Sequence, residues 1–170
     1  ITSDSLGVIP GSFKASLVGG EGSRAPDLTM SFSGDSLPND MGFDGHIYSA
    51  GGFPGQGQHG SMSKHELRNF LAVRGPSFKK QLIIDTPTGN IDLMPTILEM
   101  LDISVDLYCD GRVIREALAV GHCSEKVAVS TEIHKSERIV DNGVYRQQIS
   151  LSKVGRTIYV DEGKANFEVR

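Results

Sequence analysis

Gly89-Asn-Ile-Asp-Leu-Met-Pro-Thr-Ile-Leu-Glu-Met-Leu101 carries the plainest folding instruction in the chain. Asp92 stands where a helix N-cap belongs, and Pro95 then falls in the first turn, where an N–H has no intrahelical partner. Leu93, Ile97, Met100 and Leu101 recur at the helical period as one apolar stripe. A helix so patterned is expected to pack on a sheet.

Upstream of this run, Ser63 followed by Glu66 matches a capping box, so a helix of about two turns is expected from Lys64, ending before Gly75-Pro76. Gln81 to Ile84 reads as a short strand. Earlier still, Ser12-Phe-Lys-Ala-Ser-Leu-Val18 and Leu28-Thr-Met-Ser-Phe-Ser33 alternate polar and apolar residues, as half-buried strands do. Gly34 to Gly45 is turn chemistry, rich in Asp, Pro and Asn, and His46 to Ala50 is a short extended piece.

Downstream, Cys109-Asp-Gly-Arg112 reads as a turn and Val113 to Ala119 as a short helix. Strands are expected at Val127 to Ile133, Arg138 to Val140, Val144 to Leu151 and Thr157 to Val160. Asp141-Asn-Gly143 is a hairpin signal of the type I′ kind. The C-terminal third is therefore read as an antiparallel extension.

Composition narrows the partners. The 170 residues carry a net charge of −4 and no run of lysine or arginine, which excludes the basic face that duplex nucleic acid requires. No apolar run approaches the roughly 20 residues of a membrane span. The chain starts at Ile1, which reads as a processed or partial chain. Cys109, His122 and Cys123 are too irregularly spaced for a structural zinc site and read as two ordinary thiols.

The segment with most room for a ligand is Gly51-Gly-Phe-Pro-Gly-Gln-Gly-Gln-His-Gly60, whose glycines permit close backbone approach. Gly55-Gln-Gly-Gln-His-Gly60 satisfies G-x-G-x-x-G, but Pro54 intrudes and the following helix is short, so the dinucleotide reading lacks its context. His59 between glycines has no apolar neighbour to pack on, which leaves its ring nitrogens open to a metal or a phosphate. A loop histidine held by one backbone hydrogen bond is the structural alternative. His65 is expected on a solvated helix surface, and His46, His122 and His134 are given no role.

Six segments in order, Arg24-Ala-Pro-Asp27, Gln58-His-Gly-Ser-Met-Ser63, Arg68-Asn69, Arg74-Gly-Pro-Ser-Phe-Lys79, Gly89 to Leu98, and Asp110-Gly-Arg112 with Glu116-Ala-Leu118, set a resemblance. Together they resemble the C-terminal part of the type I phosphodiesterase/nucleotide pyrophosphatase family of the alkaline phosphatase superfamily. The resemblance covers about residues 10 to 120. It implies an α/β fold, the C-terminal portion of an alkaline-phosphatase-like sandwich over residues 1–120, with residues 121–170 as its antiparallel β extension.

It also implies a hydrolase site with two zinc or similar divalent ions and a threonine or serine nucleophile acting on a phosphate ester or nucleotide-like small molecule. His59 matches the family's late metal-binding histidine. The nucleophile, its neighbouring aspartate, the Asp-x-x-x-His pair and the Asp-His pair lie upstream in that family, and this chain contains neither spacing. No catalytic residue is therefore assigned. Asp27, Asp40 and Asp44 read as turn formers rather than substitutes.

The expectation is a segment, inactive alone, that meets a missing N-terminal half or self-associates. The alternatives are a stand-alone, non-catalytic binding domain of the same descent and part of a sulfatase- or phosphonate-hydrolase-like member.

Overall fold

Glycine-centred turns and two antiparallel sheets give the chain its regular structure. The computed structural model describes residues 5–48, 51–53, 56, 59–104, 108–120 and 126–170. The fold among them is mixed α/β, with strands β1 (Gly34–Pro38) and β2 (Asp44–Ile47), helices α1 (Lys64–Leu67) and α2 (Leu93–Met100), and strands β3 (Ser130–Val140), β4 (Gly143–Val154) and β5 (Thr157–Val169). β1 and β2 form a two-stranded sheet, and β3-β4-β5 a three-stranded one in that order. No helix among the described residues is long and apolar enough to cross a membrane.

The expected hairpin at Asp141-Asn-Gly143 joins β3 to β4, and the strands run longer than their sequence pattern. Its geometry is not type I′, since neither Asn142 nor Gly143 has a positive φ. The positive φ falls instead at Gly155, which with Arg156 turns β4 into β5. A positive angle at the first of two turn positions alone follows the II′ pattern, which favours glycine there.

Several expectations upstream are corrected. Residues 12–18 are not a strand; Ala15–Val18 is a 3-10 turn closed by Gly19 at φ 72. Residues 28–33 alternate but pair with no strand, and Leu28, Met30 and Phe32 are exposed. Nor is 81–84 a strand, since Gln81 takes a positive φ; the chain instead bridges Phe78 to Leu118. The region read as turn chemistry holds a real hairpin, with turn residues only at its tip, where the Asn39 side chain accepts from Met41 N and Phe43 N. Between Asp35 and Pro38, β1 has two residues opposite one on β2, a β-bulge that re-aims side chains.

The chain divides into two compact units. Unit 1 contains residues 1–69, 133–150 and 160–170; unit 2 contains 70–132 and 151–159. Among the described residues, the buried apolar side chain of unit 1 is Val144, whereas Ile114, Ala117, Leu118, Leu151, Val154 and Tyr159 form the core of unit 2. At about 1.5–3 kcal/mol per buried large side chain, that core is small, so its polar contacts weigh heavily in its stability.

α2 reverses the expected orientation. Its buried residues are Pro95 and Thr96, following a fully buried Asp92, while Leu93, Met94, Ile97 and Leu101 face outward. Of the expected stripe, Leu93, Ile97 and Leu101 are exposed and Met100 is half-buried. The inward face is fixed by polar bonds instead, with Thr96 Oγ1 accepting from Ile114 N at 3.0 Å.

Candidate functional site

His59 is exposed and followed by Gly60 at φ 93. Loop residues 54, 55, 57 and 58 lie outside the described ones, as do His122 and Cys123. The chain just beyond His59 is pinned tightly within unit 1. Ser61 N donates to Glu66 Oε2 at 2.7 Å, Met62 N to Ser31 Oγ at 2.9 Å, and Ser63 N to Ser61 Oγ at 3.1 Å. Met62 O in turn accepts from Gly163 N at 2.6 Å, with the missing side chain of Gly163 making room for Met62 Cβ.

Ser63 caps α1 as expected, accepting from His65 N at 3.3 Å. Glu66 does not complete the box, because it reaches past Ser63 to Ser61 N; the helix is correspondingly only four residues long. The pinned turn thus presents the histidine at its N-terminal edge.

His65 is half-buried rather than solvated. Its Nε2 lies 3.0 Å from Ser36 Oγ, in the β1 bulge, and its ring occupies the space beside Gly45, where a Cβ would come within 2.8 Å. His46 also has a partner that the sequence did not suggest, Asp35, at 3.3 Å from Nδ1, and Tyr48 OH lies 3.5 Å from the same carboxylate. The His65 contacts fasten the β1–β2 hairpin to α1, and the Asp35 contacts tie its two strands together.

The most elaborate polar cluster is in unit 2 and joins two of the motifs read from sequence. A 3-10 turn at Asn90–Asp92 leads into α2 and swings the Asp92 side chain back to Gly89 N, at 2.9 Å, instead of capping the helix. Gly111 allows the Asp110-Gly-Arg112 turn to approach closely; a Cβ there would sit 2.1 Å from Ile91 O and 2.8 Å from Asp92 N. Arg112 N consequently reaches Asp92 Oδ1 at 2.8 Å, and Tyr159 OH donates to Oδ2 at 2.9 Å. A carboxylate only accepts, and each of these partners is a donor.

The Arg112 guanidinium fills the remaining valences. It grips Glu116 through both terminal nitrogens, at 2.9 and 2.6 Å, donates to Pro87 O at 3.1 Å, and donates from Nε to Tyr159 OH at 3.1 Å. The paired fork is the geometry that lysine cannot reproduce. Burial works against the Arg112 charge, but the hydrogen bonds and attraction of Glu116, and then of Tyr159, outweigh it and raise its pKa. Burial likewise opposes the Glu116 charge; Arg112 overcomes this and holds the carboxyl below the usual range. The Tyr159 hydroxyl is pushed up to about 12, first by burial and then by its bond to Asp92.

The sequence named Asp92, Arg112 and Glu116 within motifs but not as one cluster, and it gave Tyr159 no role. No local pattern marks a tyrosine whose partners lie elsewhere in the chain. Among the described residues no group of three or more His, Cys, Asp or Glu side chains can hold a metal ion. His59 offers one imidazole, whereas a zinc site takes three or four protein ligands, so these residues do not by themselves fit a two-zinc centre. No family model matches the chain, and neither a curated protein nor a solved structure is significantly similar to it.

Proposed function

We propose that the chain is a segment of a metal-dependent phosphoric-ester hydrolase of the phosphodiesterase/nucleotide pyrophosphatase type, derived from the C-terminal portion of an alkaline-phosphatase-like α/β sandwich. In this reading His59 is a single metal ligand, delivered by the pinned 61–66 turn, and the nucleophile and remaining ligands belong to another segment. The chain alone is inactive. The substrate class is a phosphate ester or nucleotide-like small molecule.

The observation that carries the reading is the convergence at Asp92. The Gly89–Leu98 and Asp110–Arg112 motifs, with Glu116, are bound together by the Asp92 carboxylate and the Arg112 fork. Motifs that serve one another spatially support a resemblance that rests on their order in sequence.

The test is zinc content and aryl phosphodiester hydrolysis in a longer polypeptide that includes the upstream coding sequence, with and without His59→Ala. Loss of zinc together with a fall in hydrolysis of about 100-fold or more is expected. Full zinc occupancy in the variant would contradict the ligand assignment, and hydrolysis by the 170-residue chain alone would contradict the segment reading.

A further inference from the structure

Within unit 1, Ser36 of β1 and His65 of α1 meet side chain to side chain. Ser36 Oγ lies 3.0 Å from His65 Nε2, the reach of a nucleophile and its base. Three features fix that geometry. Ser36 and Leu37 stand opposite Gly45 in the β-bulge, and Leu37 N donates to Asp35 Oδ1 at 2.9 Å, which pins the bulged chain. Gly45 has φ 109, and a Cβ on it would come within 2.8 Å of His65 Cγ and 3.0 Å of Cδ2. The imidazole thus occupies a slot that the glycine leaves open. Ser63 Oγ accepts from His65 N at 3.3 Å, which holds the histidine backbone in the first turn of α1.

A pocket of about 270 Å³ opens beside the pair, walled by Ser36 with Asp35, Ser63, Lys64, Glu162 and Lys164. It is smaller than the sites that take drug-sized ligands, so its occupant is a short acyl group. Both acidic side chains in the wall are engaged, Asp35 by His46 and Tyr48, and Glu162 by Lys164 at 3.6 Å. Lys64 is the remaining cation of the wall, of the charge that an oxyanion requires.

We propose that Ser36 and His65 are a nucleophile and its general base, which take the acyl group of a small carboxylic ester. With the ring proton on Nδ1, Nε2 accepts the Ser36 proton as Oγ bonds to the ester carbonyl carbon. Lys64 offsets the charge on the tetrahedral oxyanion. The carbonyl re-forms as the bond to the leaving oxygen breaks, and His65 returns the proton to that oxygen, giving acyl-Ser36 and an alcohol. This reaction concerns carboxylic esters, whereas the inactivity of the chain alone concerns phosphodiesters, so it does not rest on the phosphoryl-transfer reading.

The 170-residue chain mixed with p-nitrophenyl acetate is expected to release about one p-nitrophenol per chain in a burst, with the acetyl group found on Ser36 by peptide mass mapping after an acid quench. Ser36→Ala should remove the burst, and His65→Gln should slow it about 100-fold or more. An alkyl fluorophosphonate, which selects activated serines, is expected to label Ser36 and to spare Ser16, an exposed serine of the same unit. This second readout uses the unmodified sequence and holds even where a variant misfolds. Acetyl groups confined to lysines, labelling of Ser36 no faster than of Ser16, or a burst unchanged by His65→Gln in a folded variant overturns the proposal.

Discussion

Tyr159 OH donates to Asp92 Oδ2 at 2.9 Å, a bond between residues 67 positions apart, and the tyrosine oxygen itself accepts from Arg112 Nε at 3.1 Å. Removing the hydroxyl leaves a fully buried carboxylate short of one donor and Arg112 short of one acceptor. Tyr159→Phe should therefore lose about 2 kcal/mol in urea unfolding followed by circular dichroism. The loss has a pH signature. Because the folded hydroxyl titrates at about 12, above its ordinary value near 10, its contribution is complete below pH 10. It disappears as pH rises through 12, so the gap between wild type and variant should narrow over that interval.

Acid should act through Glu116. Its folded pKa is depressed, so the Arg112–Glu116 contribution is complete above the ordinary glutamate value and is lost as pH falls through the folded one. Wild-type stability is expected to drop on acidification below about pH 4, and Glu116→Gln should flatten that dependence. An unchanged acid slope in a folded Glu116→Gln chain would show that other carboxyls carry it.

Two glycines in unit 2 separate steric need from conformational need. Gly111→Ala puts a Cβ against the Ile91 carbonyl and the Asp92 amide, both backbone, and should abolish the native fold of unit 2. Gly155→Ala meets nothing within 4 Å but has to hold φ 59, which should cost only about 1 kcal/mol. Thermal unfolding of the two variants side by side checks the contrast.

Thr157 is fully buried, yet its Oγ1 has no hydrogen-bond partner among the described residues. Thr157→Val keeps the shape and removes the orphaned hydroxyl, so it should stabilise the chain by about 1 kcal/mol. A loss of stability by the same measurement would mean that a bound water satisfies the hydroxyl.

Local signals were legible where a residue's partner lies close along the chain. Asp141-Asn-Gly143 marks a hairpin, Ser63 a cap, and Leu93 to Leu101 a helix, and each element is present. Their finer geometry depends on distant groups. Asp92 was readable as a helix-start residue but spends its oxygens on Gly89, Arg112 and Tyr159, and the last two lie beyond any local window. The β1–β2 hairpin was missed because Gly34-Asp-Ser-Leu-Pro38 has the composition of a turn; the bulge and His65 hold it. At the candidate site, the choice of His59 rests on its glycine neighbours and the resemblance alone, whereas the Ser61, Met62 and Ser63 bonds that anchor the turn after it follow no sequence rule.

The Asp92–Arg112 contact has a topological meaning as well. It ties the chain at both ends of the stretch 93–111, as a drawstring closes a bag, with Gly111 as the spot where the neck is narrow enough to draw shut. A single backbone cut inside that stretch would leave two fragments still held by the knot, and the nicked protein should elute as one species until denaturant loosens it.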